Sequence, residues 1–123
     1  MDLISMGQKA VLAKYELQTL TTEVKNKALL ACADALVENS MAILSANQTD
    51  VRKGVENGMH PGLVDRLTLN DKRIEAMAEG LRQVVELPDP VGQILETFDR
   101  PNGMHISKVR VPLGVIGIIY ESR

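Results

Sequence analysis

Few residues in this chain combine the types and spacing that catalysis or metal binding requires. The single cysteine, Cys32, lies between alanines, and no histidine or basic residue three or four positions away would stabilise its thiolate. The two histidines, His60 and His105, are far apart in the sequence and belong to no pattern of metal ligands. We therefore expect a buried structural cysteine, histidines on a loop or a strand face, no metal site and no catalytic residue within this chain.

Two glycines, Gly114 and Gly117, lie inside the apolar run of residues 113–120. The dinucleotide-binding pattern GxGxxG follows a strand and begins a helix, so this pair alone is weak evidence for a nucleotide site. Glycines within a strand more often allow a neighbouring element to approach the backbone closely. The run itself is rich in β-branched residues, which is typical of a strand buried on both faces of a parallel α/β sheet.

The first 87 residues have the patterns of helices. Apolar side chains at steps of three and four predict an amphipathic helix over residues 2–17. Thr21 is a suitable N-cap for a second helix, with Glu23 in its first turn. The face that we expect to point inward contains Val24, Ala28, Ala31 and Ala35, widened by Leu29, Cys32, Leu36 and Ile43. Such a wide apolar face predicts neighbours on more than one side.

Polar side chains and turn formers predict where the later helices begin and end. Asn47, with an acidic residue three positions later, resembles a capping box and predicts the start of a third helix. This helix would stop at Asn57-Gly58, and a loop with one helical turn would follow. Asn70 then predicts a last helix that ends before Pro88. The apolar stripe of that helix contains Ile74, Met77, Ala78, Leu81, Val84 and Val85.

Beyond Pro90 the sequence favours strands. Residues 93–98 and 104–111 are extended candidates, and the turn formers at residues 99–103 predict a hairpin between them. Since a buried parallel strand needs partner strands, we expect the chain to be the opening portion of a longer protein. The fold class is α/β, with a helical segment at 1–90, a β-hairpin or ribbon at 91–111 and an incomplete further strand at 112–123.

Composition excludes several classes of function. A chain of 123 residues with 45% hydrophobic and 24% charged residues is typical of a soluble domain. The formal net charge of −2 gives no electrostatic reason to expect a nucleic-acid partner. No apolar stretch is long enough to span a membrane, and the first residues do not resemble a signal peptide. We therefore expect a cytoplasmic protein with neither nucleic acid nor membrane as a partner.

Residues 109–123 resemble the entry strand of the cofactor-binding domain in the aldehyde dehydrogenase superfamily, which commonly contains Pro-x-Gly-Val-x-Gly. The ending Tyr120-Glu121-Ser122-Arg123 is similar to γ-glutamyl phosphate reductase, also called glutamate-5-semialdehyde dehydrogenase. The resemblance extends over the whole chain, but only over roughly the first third of a typical family member. Further similar motifs are Leu87-Pro88-Asp89-Pro90-Val91-Gly92, Asp65-Arg66-Leu67 and the helix start Asn47-x-x-Asp50.

This resemblance implies a fold and an activity. Residues 112–123 would be the first strand of a Rossmann-like domain, and the ribbon would contribute to contacts in a homo-oligomer. The implied reaction is the NADPH-dependent reduction of γ-glutamyl phosphate to glutamate-5-semialdehyde in proline biosynthesis, with glutamate kinase as a further partner. The family's cysteine nucleophile corresponds to a position beyond residue 123, and Cys32 does not match it. The chain alone is therefore expected to be an inactive fragment of an oxidoreductase.

The resemblance also suggests a few site residues at the end of the predicted strand. Ligands bind at the carboxyl ends of strands in open α/β sheets, which is where Tyr120 and Glu121 would line the cofactor. Arg123 is a candidate for contact with the acidic substrate, because a guanidinium group matches phosphate and carboxylate geometry. The alternative for Arg123 is a solvated terminal arginine.

The sequence also allows two other interpretations of the whole chain. Within the enzymes, it could derive from a different aldehyde dehydrogenase superfamily member or from the reductase half of a bifunctional pyrroline-5-carboxylate synthase. From another class, it could be a non-catalytic helical interaction module. The last interpretation predicts no coding sequence after Arg123, which the source gene would show directly.

Overall fold

The fold was taken from a computed structural model that describes residues 2–119 of the chain. Within that range, five helices precede a two-stranded antiparallel ribbon, which confirms the predicted helical segment and hairpin. Two compact units are present: residues 2–22 with Pro88–Ile118, and Glu23–Leu87. The elements are α1 (Leu3–Leu17), α2 (Thr22–Glu38), α3 (Ser40–Glu56), α4 (Pro61–Leu67), α5 (Asp71–Glu86), β1 (Ile94–Asp99) and β2 (His105–Val109).

The helical unit Glu23–Leu87 contains every buried residue of the described range. Ile74 and Ala78 are buried four positions apart on α5, as predicted, and half-buried Leu81 and Val85 continue the same stripe. Met77 and Val84, which were expected in this stripe, are exposed because they lie at its edges. The other two buried residues are Ala33 on α2 and Gly54 on α3.

The inward face predicted for α2 is wrong at its centre, although Leu29 and Leu36 are half-buried as expected. Ile43, which was expected to widen this face, lies on α3 because α2 ends at Glu38. Val24, Ala28, Ala31 and Ala35 are exposed, whereas Ala33 is buried and its neighbours Leu29 and Leu36 are half-buried. Residues 29, 33 and 36 lie along one line of a helix, so α2 packs on a single side instead of two. Because α2 is apolar around most of its circumference, the sequence pattern does not reveal which line is covered.

Two polar contacts show that α5 lies beside α2. The side-chain amide of Asn26 donates to the carbonyl of Val85 at 3.5 Å. Farther along, the Arg82 guanidinium lies 3.9 Å from the Asp34 carboxylate. Both contacts join α2 to the C-terminal half of α5.

Asn47 does not begin a helix as predicted. It lies inside α3, which begins after Asn39, where α2 and α3 are bent by 65° relative to each other. The Asn47 amide instead accepts from the Leu69 backbone N–H at 2.7 Å and donates to the Leu67 carbonyl at 2.8 Å. A side chain suited to capping a helix can equally satisfy backbone groups of a distant segment, which the capping pattern cannot distinguish.

Three other predicted helix boundaries, the end of the third helix and both ends of the last, are confirmed. Helix α3 ends at Glu56 with Asn57 as its C-cap, and Gly58 follows with φ of +75°, a conformation that favours glycine. The Asn70 side chain accepts from the Arg73 N–H at 2.9 Å and caps α5, which ends just before Pro88.

The remaining unit, residues 2–22 with Pro88–Ile118, contains α1 and the ribbon. The Asp2 carboxylate caps α1 by accepting from the N–H groups of Ile4 and Ser5 at 3.0 and 3.2 Å. In the ribbon, Thr97 lies opposite Ser107, and their hydroxyls are 3.3 Å apart. None of the described residues of this unit is buried.

The predicted strand over residues 113–120 is not observed in the part that the structure describes. Residues 110–119 have no regular secondary structure, and residues 111–119 are all exposed. A strand requires a hydrogen-bonded neighbour, and the described sheet contains only β1 and β2. The apolar sequence therefore has strand propensity but no partner within residues 2–119.

No single helix between residues 2 and 119 is long and apolar enough to cross a membrane. Taken together as a bent pair, α2 and α3 have the length and apolar composition of a membrane span, although neither helix has them alone.

Candidate functional site

The segment that leads to the predicted site begins at the base of the ribbon. The Arg110 N–H donates to the Gln93 carbonyl at 3.0 Å, and the Arg110 carbonyl accepts from the Gly92 N–H at 2.9 Å. These two bonds extend the β1–β2 pairing and define the point from which residues 111–119 leave the ribbon. Leu113 in that segment is 91% exposed.

The two glycines of the segment have different surroundings. Gly114 has φ of +96°, and a Cβ atom placed there would lie 3.3 Å from Cδ of Lys14. Gly117 has open space around it, so the close approach expected at both glycines is found only at Gly114. Position 114 favours glycine for two reasons. A larger residue would be strained by the positive φ, and its Cβ would crowd the Lys14 side chain.

Residues 111–119 do not by themselves fit a nicotinamide cofactor. They contribute no charged or hydrogen-bonding side chain that could hold phosphate or ribose groups. The polar residues assigned to the site, Tyr120, Glu121 and Arg123, lie outside the residues that the structure describes. No step of hydride transfer is therefore assigned to the described part of the chain.

Cys32 lies exposed on α2, so the expectation of a buried cysteine is wrong. It precedes the buried Ala33, and one residue of helix turns the side chain about 100° away from the covered line. Across residues 2–119, no three histidine, cysteine or acidic side chains come together as a group that could hold a metal ion.

The two histidines make local contacts. His60 precedes α4, and its Nδ1 accepts from the Gly62 N–H at 3.2 Å, so the side chain caps a short helix. His105 begins β2 and pairs through Nδ1 with the Asp99 carboxylate across the hairpin end. Their positions on a loop and on a strand match the expectation from the sequence.

Asp89 is a connecting residue that the sequence reasoning missed. One carboxylate oxygen accepts from the Thr22 hydroxyl at 3.0 Å, and the other accepts from the Val91 N–H at 3.0 Å. The signal in the sequence is Pro88-Asp89-Pro90, because prolines lack N–H groups and restrict the backbone around the acidic side chain.

Two arginines on α5 organise charge on the helical unit. The Arg73 guanidinium contacts the Asp65 carboxylate at 3.2 Å and also donates to the backbone carbonyls of Asp65 and Thr68. Arg82 contacts Glu75 at 2.7 Å, and this hydrogen bond raises the pKa of Arg82 above its usual value. Arg73 joins the end of α4 to α5, and Arg82 also lies 3.9 Å from Asp34 on α2. Both arginines therefore link helices.

The amino-acid sequence was compared with those of known proteins, and it is similar to one group of enzymes over almost its whole length. No family model matches the chain. γ-Glutamyl phosphate reductase of Brucella suis is 53% identical over 121 residues, which cover 98% of this chain and 29% of that protein. The enzymes of the same name from Carboxydothermus hydrogenoformans and Heliobacterium modesticaldum are 52% and 54% identical, each over 99% of this chain and 29% of the relative.

Solved structures agree with the sequence comparison. The crystal structure of γ-glutamyl phosphate reductase from Thermotoga maritima superposes with a TM-score of 0.88 at 42% identity, covering 91% of this chain and 27% of that one. This chain matches the N-terminal part of γ-glutamyl phosphate reductases in both sequence and structure. The yeast γ-glutamyl phosphate reductase superposes with a TM-score of 0.79 at 33% identity, over 88% of this chain and 28% of that one.

The match to the γ-glutamyl phosphate reductases confirms the resemblance that rested on residues 87–92 and 109–123. The chain spans about 29% of the length of the curated relatives it matches. The name of these relatives describes a reductase acting on γ-glutamyl phosphate, which is consistent with a nicotinamide cofactor.

Proposed function

We propose that this chain forms part of an enzyme that reduces γ-glutamyl phosphate to glutamate-5-semialdehyde in proline biosynthesis. The observation that carries the proposal is 53% identity to a curated reductase over 98% of the chain. The TM-score of 0.88 to a solved reductase supports it, because that superposition covers 91% of this chain.

The net reaction has simple requirements. A hydride equivalent from NADPH and a proton enter, the bond between the acyl carbon and the phosphate oxygen breaks, and the aldehyde, inorganic phosphate and NADP⁺ leave. In this proposal the cysteine nucleophile and most of the cofactor site belong to sequence beyond residue 123. The 123-residue chain alone therefore has no reductase activity.

The contribution of this chain is concentrated after the ribbon. In the proposal, residues 112–123 pair as the first strand of the cofactor-binding domain, and Tyr120 and Glu121 line the cofactor at the end of this strand. Arg123 contacts the anionic substrate. The exposed and apolar residues 111–119 support this assignment, since burial against a sheet would remove their side chains from water.

The helical segment at 1–90 and the ribbon at 91–111 serve as the scaffold in this proposal. The ribbon joins subunits of a homo-oligomer, and its exposed apolar side chains, such as Ile94 and Val109, are consistent with that role. Association with glutamate kinase and a cytoplasmic location complete the proposal.

A chimaera tests the proposed function directly. Residues 1–123 would replace the matching N-terminal part of the Brucella suis reductase, whose remaining sequence would supply the rest of the enzyme. We expect NADP⁺ reduction with glutamate-5-semialdehyde and phosphate, and no turnover when phosphate is omitted. A folded chimaera with the elution volume and melting temperature of its parent, but without activity, would overturn the proposal. Activity on ordinary aldehydes without phosphate would overturn the substrate assignment.

The role of Arg123 can be tested in the same chimaera. If its guanidinium binds the substrate anion, Arg123→Ala should lower kcat/KM about 5- to 150-fold, equivalent to about 1–3 kcal/mol, and the rate should fall mostly at low substrate concentration. Arg123→Lys keeps the charge but loses the bidentate geometry, so its loss should be smaller. An unchanged kcat/KM in Arg123→Ala would leave Arg123 as a surface residue.

A further inference from the structure

The segment that joins α5 to β1 is held by a side chain instead of by regular secondary structure. Pro88 and Pro90 remove two backbone donors, and Asp89 between them is half-buried. Both oxygens of its carboxylate are used: one accepts from the Thr22 hydroxyl and the other from the Val91 N–H, each at 3.0 Å. Asp89 thus holds its segment to Thr22, which lies 67 positions earlier in the sequence.

The hydrogen bonds continue from Asp89 to the base of the ribbon. The Gln93 N–H donates to the Pro90 carbonyl at 3.2 Å, and Gly92 and Gln93 each exchange one bond with Arg110. Gly92 has φ of +83°, so the turn that makes this pairing possible favours glycine. Arg110 is the last residue before the exposed segment of residues 111–119.

We infer that Asp89 is a positioning residue, which fixes the ribbon base and thereby the point from which residues 111–119 leave the ribbon toward the proposed strand of the cofactor-binding domain. This inference rests on the proposed function. Asp89 acts through Val91 and the Gly92–Arg110 pair, without touching substrate or cofactor. A carboxylate suits the position because it accepts two hydrogen bonds at once, one from a side chain and one from the backbone.

Hydrogen exchange of the 123-residue chain tests the structural half of the inference. Asp89→Ala should accelerate exchange of the Gly92 and Arg110 amides about tenfold, the effect of losing about 1.4 kcal/mol of local hydrogen bonding. Asp99→Ala is the matched control, because it removes a hydrogen-bonded aspartate at the opposite end of the ribbon. Equal exchange at Gly92 and Arg110 in Asp89→Ala and the unsubstituted chain would overturn the inference, as would uniform acceleration over all helices.

Kinetics of the chimaera test the functional half. Asp89→Ala should raise the KM for NADP⁺ about tenfold, equivalent to about 1.4 kcal/mol, and change kcat much less. Asp89→Asn should restore part of this loss, because its amide can accept from Val91 and donate to the Thr22 hydroxyl oxygen but carries no charge. An unchanged KM in Asp89→Ala would overturn the inference.

The two possible failures are distinguishable. If the proposed function is wrong, the unsubstituted chimaera is inactive although the exchange contrast at Gly92 and Arg110 persists. If only the role of Asp89 is wrong, the unsubstituted chimaera is active and the Asp89 variants retain its KM.

Discussion

The helical unit Glu23–Leu87 and the ribbon over residues 92–110 are both well hydrogen-bonded, but they differ in what they bury. The helical unit leaves Ile74 1% exposed and Ala33 and Ala78 0% exposed, and it also buries Gly54. The ribbon pairs its backbone over two strands, yet leaves Ile94 61% exposed. Backbone pairing is thus satisfied locally in both regions, whereas apolar burial is achieved only among the helices.

This difference explains which region should be stable by itself. Hydrophobic burial is the dominant favourable contribution to folding, and a two-stranded hairpin alone is marginal in water. The helical unit also satisfies its buried polar groups, since no buried side-chain nitrogen or oxygen among the described residues lacks a hydrogen-bond partner. The ribbon and the segment after it should gain stability only when another surface covers them.

The largest expected contrast is in amide hydrogen exchange. Amides of α5 should exchange about a thousandfold more slowly than those of residues 111–119, which corresponds to about 4 kcal/mol of protection. The reason is that α5 contains the buried stripe, whereas residues 111–119 are exposed and unpaired. Measurement by NMR across a range of protein concentrations would separate intermolecular protection from folding. A monomer in which both regions exchange equally slowly would contradict the comparison.

The next largest effect is expected for a change in the helical core. Ile74→Ala should lower the free energy of unfolding by about 2–5 kcal/mol, because it removes buried methyl groups and leaves a cavity. Ile94→Ala makes the same chemical change in the exposed ribbon and should cost less than about 0.5 kcal/mol. Urea denaturation followed by circular dichroism at 222 nm measures both variants. Similar losses in the two variants would show that the ribbon shares the core.

A smaller effect is expected from the side chain that joins α3 to the connection after α4. Asn47→Ala should cost about 1–3 kcal/mol, because it leaves the Leu69 N–H and the Leu67 carbonyl without their partner in a half-buried place. Gln48→Ala, at the neighbouring exposed position, serves as the control and should be nearly neutral. Melting temperatures of the two variants give the comparison, and equal values would remove the structural role of Asn47.

The smallest effect is expected at the cap of α5. Asn70→Ala should destabilise the helical unit by about 1 kcal/mol, since the Arg73 N–H loses its acceptor. Asn70→Asp retains an oxygen acceptor at the helix N-terminus and should keep most of the stability. A loss in Asn70→Asp as large as that in Asn70→Ala would show that the cap bond is not the cause.

Local sequence was sufficient to predict features that depend on neighbouring residues. The cap at Asn70, the stop at Asn57-Gly58 and the end of α5 before Pro88 were all confirmed, as was the hairpin turn. Each depends on groups within about four residues, such as a side-chain oxygen near free N–H groups or a glycine that adopts positive φ. The resemblance at residues 87–92 and 109–123 was likewise readable from the sequence.

Tertiary structure decided the features that depend on distant partners. Asn47 has the residue type of a cap, but its side chain hydrogen-bonds to the backbone of Leu67 and Leu69. On α2, the buried alanine is Ala33, whereas Ala31 and Ala35 are exposed. Residues 113–119 have the composition of a strand, yet they form none, and the described part of the chain supplies them with no partner strand. The physical reason is the same in each case: burial and strand pairing require a second surface, whose position local propensity does not contain.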